Sequence, residues 1–180
     1  MPQAAKKILM VIAFRDFRDP EYFIPKTAFE KAGFIIKTAS NKEGIAVGAD
    51  GGEAEVDVSI KDIDINGFNA VVFIGGAGCL KYLDNNDSYS LIKKAAEKKL
   101  FLAAICISPV ILAKAGVLKG KRATIWSGPM AKEPIAILKA NGALYQEAAV
   151  VVDGNIITAN GPEAAIAFAE TIIKHLRATP

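Results

Sequence analysis

Residues 101–116 read FLAAICISPVILAKAG, and this stretch decides the fold. The run from Phe101 to Ile105 is apolar without interruption and has the length of a strand that is covered on both faces. Pro109 then begins a helix that Gly116 ends, because proline suits the first helical turn and glycine the residue after the last. The stretch predicts a buried strand, a sharp turn at Cys106 and a helix.

The same alternation of strand and helix recurs along the chain. Strands are predicted over residues 8–14, 34–39, 70–74, 101–105 and 123–126, and helices over 20–31, 87–98, 109–115, 134–140 and 162–177. This order indicates an α/β protein with a doubly wound, mostly parallel sheet and helices on both of its faces.

Two stretches depart from this alternation. Residues 45–65 carry three glycines and alternating apolar residues, which predict a small β-hairpin or an excursion at the sheet edge. Residues 148–159 predict a second hairpin, in which Asp153 and Gly154 supply the positive φ angles of a tight turn.

Length and composition restrict the class of protein. The 180 residues predict one domain over 1–180, and the 52% hydrophobic content is that of a compact chain and not of a disordered one. The net charge of +3 comes from interspersed charges, which gives nucleic-acid binding no electrostatic support. The longest apolar stretch, residues 101–113, is shorter than the roughly 18 residues that a membrane span needs. A soluble, cytoplasmic protein without a membrane partner is expected.

Cysteine and histidine are too few for most metal or disulfide chemistry. Cys79 and Cys106 are the two cysteines and His175 is the single histidine. No metal site and no cofactor are expected, and a reducing compartment fits best. Cys79 is expected to pack in the core, and pairing with Cys106 as a resolving thiol is the alternative. His175 is expected on the surface or in packing at the end of the last helix.

Cys106 is the most informative position for chemistry. In an open parallel sheet the reactive crevice lies beyond the carboxyl ends of the strands, and Cys106 directly follows such a strand. A strand-to-helix turn exposes a side chain, and a helix N-terminus favours a thiolate. The alternative is that Cys106 is one more small buried hydrophobic residue, as most free cysteines are.

Two other strand ends are candidates for the same site. Gly75, Gly76 and Ala77 follow the strand at 70–74, and glycine lets backbone N–H groups approach a reacting carbonyl. This loop lacks the pattern of a phosphate-binding loop, so nucleotide binding is disfavoured. Glu21 lies on the crossover after the first strand, where it either complements the helix dipole or shares a proton with a cysteine.

The chain resembles the ThiJ/PfpI superfamily over nearly its whole length. The resemblance rests on several motifs in the same order: Glu21 four residues before Pro25, Ala32-Gly33, VVFIGG at 71–76, AICISP at 104–109, LAKAGVLKGK at 112–121, VDGN at 152–155 and Gly161-Pro162. It implies a flavodoxin-like fold, with Cys106 as nucleophile, Glu21 as its proton-sharing carboxyl, and the amides of Gly76 and Ile107 as oxyanion donors. Gly75, Ala77, Trp126 and Asn160 are the implied pocket residues.

The chain departs from the family where a histidine would support the cysteine. The peptidase-like branch has His directly after the cysteine, where this chain has Ile107, and the deglycase branch has His near the position of Trp126. Asn160 stands where relatives can have a basic residue.

Three functions are compatible with these residues. The leading hypothesis is a cysteine-dependent enzyme acting on small reactive carbonyls or early glycation adducts, of glyoxalase or deglycase type. The alternatives are a non-enzymatic, redox-responsive or chaperone-like protein with an oxidisable Cys106, and an intracellular cysteine peptidase. The resemblance also implies a homodimer or a higher homo-oligomer.

Overall fold

The computed structural model describes residues 4–180, which form twelve strands and six α-helices. In chain order these are β1 (Lys7–Val11), β2 (Arg15–Phe17), α1 (Asp19–Lys31), β3 (Ile35–Ser40), β4 (Gly44–Gly48), β5 (Glu53–Val56), β6 (Val58–Ser59), β7 (Ala70–Phe73), α2 (Ala77–Tyr82), α3 (Asn86–Glu97), β8 (Phe101–Ile105), α4 (Pro109–Lys114), β9 (Arg122–Ala123), α5 (Glu133–Ala140), β10 (Leu144–Tyr145), β11 (Val150–Asp153), β12 (Ile156–Ala159) and α6 (Ala165–Ala178). No helix within this range has both the length and the apolar character needed to cross a membrane.

Seven strands form the central sheet, in the order β11-β12-β8-β7-β1-β3-β6. Each neighbouring pair is parallel except β11 with β12, which form an antiparallel hairpin at one edge. The chain builds outward from β1 first to β3 and then, on the other side, to β7 and β8. This reversal of direction opens a crevice beyond the carboxyl ends of the central strands.

The core lies in two layers, one on each face of the sheet. Alternate residues of β1 show this, because Leu9 and Val11 join the layer beneath α3 and α4, whereas Ile8 and Met10 join the layer beneath α1 and α6. All four of these side chains are fully buried. The predicted α/β architecture with helices on both faces is therefore confirmed.

Three predicted details are wrong. The first strand ends at Val11, and Arg15–Phe17 form a separate short strand that pairs with β4. Residues 123–126 are not a strand beyond Ala123: the Thr124 amide donates to Thr158 Oγ1 at 2.9 Å instead of to a neighbouring backbone. In the turn between β11 and β12, Gly154 has a φ of 59° and Asp153 has no positive φ.

The excursion predicted within residues 45–65 is a small sheet beside α1. β4 pairs with β2 on one side and with β5 on the other, and β4 and β5 form an antiparallel hairpin. The carboxylate of Asp19, the first residue of α1, accepts bonds from the amides of Asp50 at 2.9 Å and Gly52 at 2.7 Å. These two bonds hold the tip of the hairpin against the start of α1.

Candidate active site

The candidate site is built where three chain segments meet beyond the carboxyl ends of β1, β7 and β8. Glu21 comes from the first turn of α1, Gly75 and Gly76 follow β7, and Cys106 follows β8. The Arg18 amide donates to the Gly75 carbonyl at 3.0 Å, which ties the start of α1 to the loop after β7. The topology thus brings together the residues that the sequence placed at separate strand ends.

Cys106 occupies a strained backbone conformation between β8 and α4. Its φ is 66°, in the left-handed region that residues other than glycine seldom adopt. Its amide donates to the Ala159 carbonyl at 2.9 Å, and its carbonyl accepts from the Trp126 amide at 2.9 Å. Because neighbouring segments fix both sides of the residue, the turn is held in place and the side chain faces the crevice.

Ser108 braces this turn from below. Its side chain is fully buried, and its Oγ accepts from the Ile105 amide at 3.0 Å while lying 2.9 Å from the Phe73 carbonyl, to which it can donate. The hydroxyl therefore connects the end of β8 to the end of β7. The sequence reasoning gave Ser108 no role, although a hydroxyl residue two positions after a candidate nucleophile and directly before a helix-starting proline was a usable signal.

Glu21 is a fully buried carboxyl beside the cysteine. Its Oε2 accepts from the Gly75 amide at 3.0 Å, whereas within residues 4–180 no well-directed hydrogen bond reaches its Oε1. Burial raises the pKa of Glu21 from 4.5 to about 7, against the lowering effects of the Cys106 thiol, the Gly75 amide and Arg18. A carboxyl of this kind can hold or release a proton near neutral pH.

The two glycines after β7 allow this close approach. A Cβ atom at Gly75 would lie 2.6 Å from the Cys106 Cβ and 2.8 Å from Glu21 Oε2. At Gly76, where φ is 110°, a Cβ atom would lie 2.5 Å from the Arg18 amide nitrogen. Any larger residue at either position would force the carboxyl, the thiol and the start of α1 apart.

The electrostatics of Cys106 differ from the helix-dipole effect that the sequence suggested. Burial, followed by the neighbouring Glu21 carboxyl, raises the pKa of the Cys106 thiol well above its usual range. Hydrogen bonds from the amides of Ile107 and Gly76 act in the opposite direction and are smaller in effect. The helix α4 has only six residues, and its dipole does not offset the burial of the thiol. The thiol therefore keeps its proton until a base removes it.

A cavity of about 440 Å³ opens above the thiol. The residues that line it are Arg18, Gly76, Ala77, Leu80, Cys106, Ile107, Trp126 and Pro162. Of the predicted pocket residues, Ala77 and Trp126 lie in this lining. The sequence reasoning missed Arg18, whose signal was its spacing of three residues before Glu21, one helical turn away.

Two predicted pocket residues lie elsewhere. Gly75 is buried beneath the Glu21 carboxyl and is not part of the cavity lining. Asn160 lines a neighbouring recess of about 290 Å³, which shares Trp126 and Pro162 with the main cavity. A polar contact from Asn160 to a molecule bound at the thiol is therefore not supported by its position.

The remaining candidate side chains lie away from the cavity. His175, on α6, hydrogen-bonds to the Thr171 carbonyl at 2.8 Å and packs edge-on against Phe101 at 6.0 Å. Phe101 begins the strand that ends just before Cys106. About 16 Å of extended chain therefore separates Phe101, on which His175 packs, from Cys106. Cys79 is a fully buried free thiol in α2. Among residues 4–180, no three His, Cys, Asp or Glu side chains are grouped as a metal site would require.

Comparison with known proteins places the whole chain in one family. The model of the DJ-1/PfpI family matches residues 6–175. A protein of Methanocaldococcus jannaschii is 43% identical over 169 residues, covering 93% of this chain and 81% of that protein. A deglycase of Thermococcus kodakarensis is 30% identical over 169 residues, covering 94% of this chain and 99% of the relative.

A solved structure agrees with the sequence matches. The crystal structure of a ThiJ/PfpI domain protein from Brachyspira murdochii superposes with a TM-score of 0.92 at 33% identity, covering 99% of this chain and 100% of that one. The superposition covers nearly every residue of the α/β fold described above, in which helices flank a mostly parallel sheet. The chain therefore belongs to the DJ-1/PfpI family.

Proposed function

We propose that this protein is a cysteine-dependent enzyme that converts small reactive carbonyl compounds, of the glyoxalase type. The observation that carries the proposal is the meeting of the Cys106 thiol, which lines a small cavity, with the buried carboxyl of Glu21. A nucleophile and a carboxyl that moves one proton are sufficient for isomerising a dicarbonyl, and neither a metal nor a histidine is needed.

The first step is addition of the thiol to the aldehyde carbon of a substrate such as methylglyoxal. Glu21, as carboxylate, takes the thiol proton while the sulfur forms a bond to the carbon, and the carbonyl oxygen gains the electron pair. The amides of Gly76 and Ile107, which lower the pKa of the thiol, are the donors proposed to hold this oxygen. Glu21 then gives the proton to this oxygen, which yields a hemithioacetal and restores the carboxylate.

The second step moves a proton between neighbouring carbons. The Glu21 carboxylate removes the proton from the carbon bonded to sulfur and delivers it to the oxygen of the adjacent ketone, which gives an enediol and restores the carboxylate. Glu21 then takes the proton of the hydroxyl on the sulfur-bearing carbon and delivers it to the second carbon. The product is a thioester of a hydroxy acid, which water cleaves to lactate and the free thiol. The sum is methylglyoxal plus water giving lactate and one proton, without an oxidant or reductant.

Early glycation adducts are the second substrate class within this proposal. They are hemithioacetals and aminocarbinols, which form when an aldehyde adds to a thiol or an amine. Dissociation of the adduct gives back the aldehyde, and Cys106 would attack its carbonyl carbon. The Thermococcus kodakarensis relative is named a deglycase, which supports this extension. The same thiol and the same carboxyl would serve both substrates.

The test is consumption of methylglyoxal with lactate quantified as the product. Wild type should turn over, and Cys106→Ser should lose turnover because a serine hydroxyl is a far weaker nucleophile at neutral pH. His175→Ala is the matched control and should retain wild-type turnover, since His175 hydrogen-bonds to the Thr171 carbonyl of its own helix and packs on Phe101, away from the cavity. Peptidase activity should be absent or slight because no histidine lies beside the thiol to protonate a leaving amine. Loss of turnover in His175→Ala, or none in wild type, would contradict the proposal.

A redox-responsive role is a second candidate, favoured by the contrast between the two thiols. Cys106 is half-buried at the cavity, whereas Cys79 is fully buried in the core. Mild peroxide followed by peptide mapping should modify Cys106 before Cys79, because access controls oxidation of thiols. Selective oxidation of Cys106 in a protein that consumes neither dicarbonyls nor glycation adducts would favour the redox role over the enzyme.

A further inference from the structure

Arg18 is the one charged side chain among the described residues that line the cavity. The other lining groups are glycine, alanine, leucine, isoleucine, tryptophan, proline and the Cys106 thiol. An arginine in such surroundings has no acceptor within the lining, and its planar guanidinium is suited to carboxylate or phosphate groups. The cavity therefore pairs a nucleophile with a cation.

The backbone of Arg18 is fixed, whereas its guanidinium is held only loosely. The Arg18 amide is anchored to the Gly75 carbonyl at 3.0 Å. Within residues 4–180 the guanidinium has one ion-pair partner, Asp50, at 3.8 Å, and the two side chains are 42% and 58% exposed. An exposed pair at this distance contributes little free energy, so a ligand anion can replace Asp50 without a large loss.

The position of Asp50 is itself set by the fold. Its own amide donates to the Asp19 carboxylate at 2.9 Å, at the tip of the β4–β5 hairpin. Asp50 is thereby kept within ion-pair distance of Arg18. Arg18 is available to a ligand and is not part of a buried structural ion pair.

We propose that Arg18 makes this site select small carbonyl compounds that carry an anionic group. The carbonyl carbon would lie at the Cys106 sulfur and the carboxylate at the Arg18 guanidinium, while the apolar lining accepts the carbon chain between them. A dicarbonyl with a carboxylate tail, such as 4,5-dioxopentanoate, has this arrangement. The substrate class rests on the proposed function, whereas the preference for an anion belongs to the cavity alone.

The preference is tested without turnover by alkylation of Cys106. Iodoacetate and iodoacetamide have the same reacting carbon and differ by one negative charge, so the ratio of their rates reports the charge preference of the cavity. Arg18 also lowers the pKa of Glu21. Its removal changes the reactivity of the thiol toward both reagents alike, and this effect cancels in the ratio.

Arg18→Gln should lower the iodoacetate-to-iodoacetamide ratio by about 3- to 10-fold, the effect of one charge a few ångströms away in partly solvated surroundings. Arg15→Gln is the matched control, because it removes the same charge from an exposed side chain that packs on Phe14 and does not line the cavity. Its ratio should stay at the wild-type value. Equal ratios in wild type and Arg18→Gln, or an equal fall in both variants, would overturn the proposal.

Asp50→Asn provides a change in the opposite direction. Without its partner the guanidinium is free for the reagent, so the ratio should rise above wild type, by no more than the few-fold that an exposed ion pair allows. With substrates, Arg18→Gln should raise KM for 4,5-dioxopentanoate by a larger factor than KM for methylglyoxal, which carries no charge. Absence of all turnover with an intact alkylation preference would contradict the proposed function while leaving the anion site supported. Turnover of substrate without any alkylation preference that depends on Arg18 would support the proposed function and contradict the anion site.

Discussion

Asp19 and Glu21 are two buried carboxyl groups in the first turn of the same helix, and their surroundings are opposite. Asp19 faces the hairpin tip, where each of its oxygens accepts one backbone amide, from Asp50 and from Gly52. Glu21 faces the crevice, where one oxygen accepts the Gly75 amide and the other has no well-directed partner in the part of the chain that the structure describes. Residues two positions apart on a helix point in different directions, which makes this difference possible.

Asp19 and Glu21 show how the surroundings of a carboxyl group decide whether it supports the fold or can exchange a proton. A carboxyl group whose two oxygens each accept a backbone amide has its hydrogen-bonding groups satisfied and contributes to the fold. A buried carboxyl with an incomplete set of partners costs folding free energy when it is charged, and the same deficit raises its pKa toward neutrality. Glu21 therefore lowers stability in the range of pH where it can exchange a proton with Cys106.

The largest expected effect is on catalysis, and it should separate the two carboxyls. Glu21→Gln keeps the shape of the side chain and removes its ability to take a proton, so methylglyoxal turnover should fall by about 10²- to 10⁴-fold. Asp19→Asn should stay within a few-fold of wild type, measured as kcat/KM where both variants are folded. Normal turnover in Glu21→Gln beside an inactive Cys106→Ser would show that Glu21 is not the proton carrier.

The second expected effect is on stability, and it should have opposite signs at the two positions. Asp19→Asn turns one acceptor oxygen into an N–H group that faces a backbone N–H, and should lower the free energy of unfolding by about 1–3 kcal/mol at about pH 8. Glu21→Gln removes a buried charge at that pH and should raise the free energy of unfolding by about 1–3 kcal/mol. Urea unfolding of both variants measures the two changes. A destabilised Glu21→Gln would mean that the carboxylate is better satisfied than its contacts indicate.

The smallest expected effect is the pH dependence of the difference in stability between Glu21→Gln and wild type. The pKa of Glu21 is about 7 in the folded chain and 4.5 without the fold. Between these values the folded state holds a proton that the unfolded state releases, so the stability contributed by the protonated carboxyl is fully present below 4.5 and is lost as the pH rises to about 7. The advantage of Glu21→Gln should therefore vanish near pH 4.5 and grow through this window.

The pH dependence of turnover below neutral pH provides an independent check on the pKa of Glu21. Turnover requires Glu21 as carboxylate, so the rate should fall as the pH drops below about 7. Arg18 lowers the pKa of Glu21, and Arg18→Gln should shift this midpoint to higher pH. Arg15→Gln should leave the midpoint in place. A midpoint near the ordinary value of a glutamate would contradict the raised pKa.

The layered fold was predictable from sequence because its signals are local. Uninterrupted apolar runs mark the strands β1, β7 and β8, and the pairs of proline and glycine around the helices mark their ends. Cys106 was found in the same way, since a strand, a turn and Pro109 follow one another within nine residues of Phe101. The failure at residues 124–126 comes instead from contacts between distant segments. Thr124 and Ile125 are buried and Trp126 is exposed, and the amides of Thr124 and Trp126 bond to Thr158 Oγ1 and to the Cys106 carbonyl and not to a neighbouring strand.

The partners of the cysteine were less predictable because they depend on contacts between distant segments. Glu21 was identified through the family resemblance, and its charge alone did not distinguish it from Asp19. Arg18, among the acidic residues of the same segment, looks like an ordinary solvated charge. The effect of burial on the Cys106 thiol could not be read from its place before a short helix, because burial is decided by the whole sheet.

The bond from the Gly75 amide to the Glu21 carboxyl, which spans 54 positions of the chain, also has a consequence for folding. Glu21, Gly75 and Cys106 cannot meet until β1, β7 and β8 have paired as parallel neighbours, a non-local event that is slow compared with helix formation. The thiol in the unfolded chain lacks both the carboxyl and the burial that raise its pKa. Its rate of alkylation during refolding therefore reports assembly of the central sheet, because the rate changes when those three strands come together.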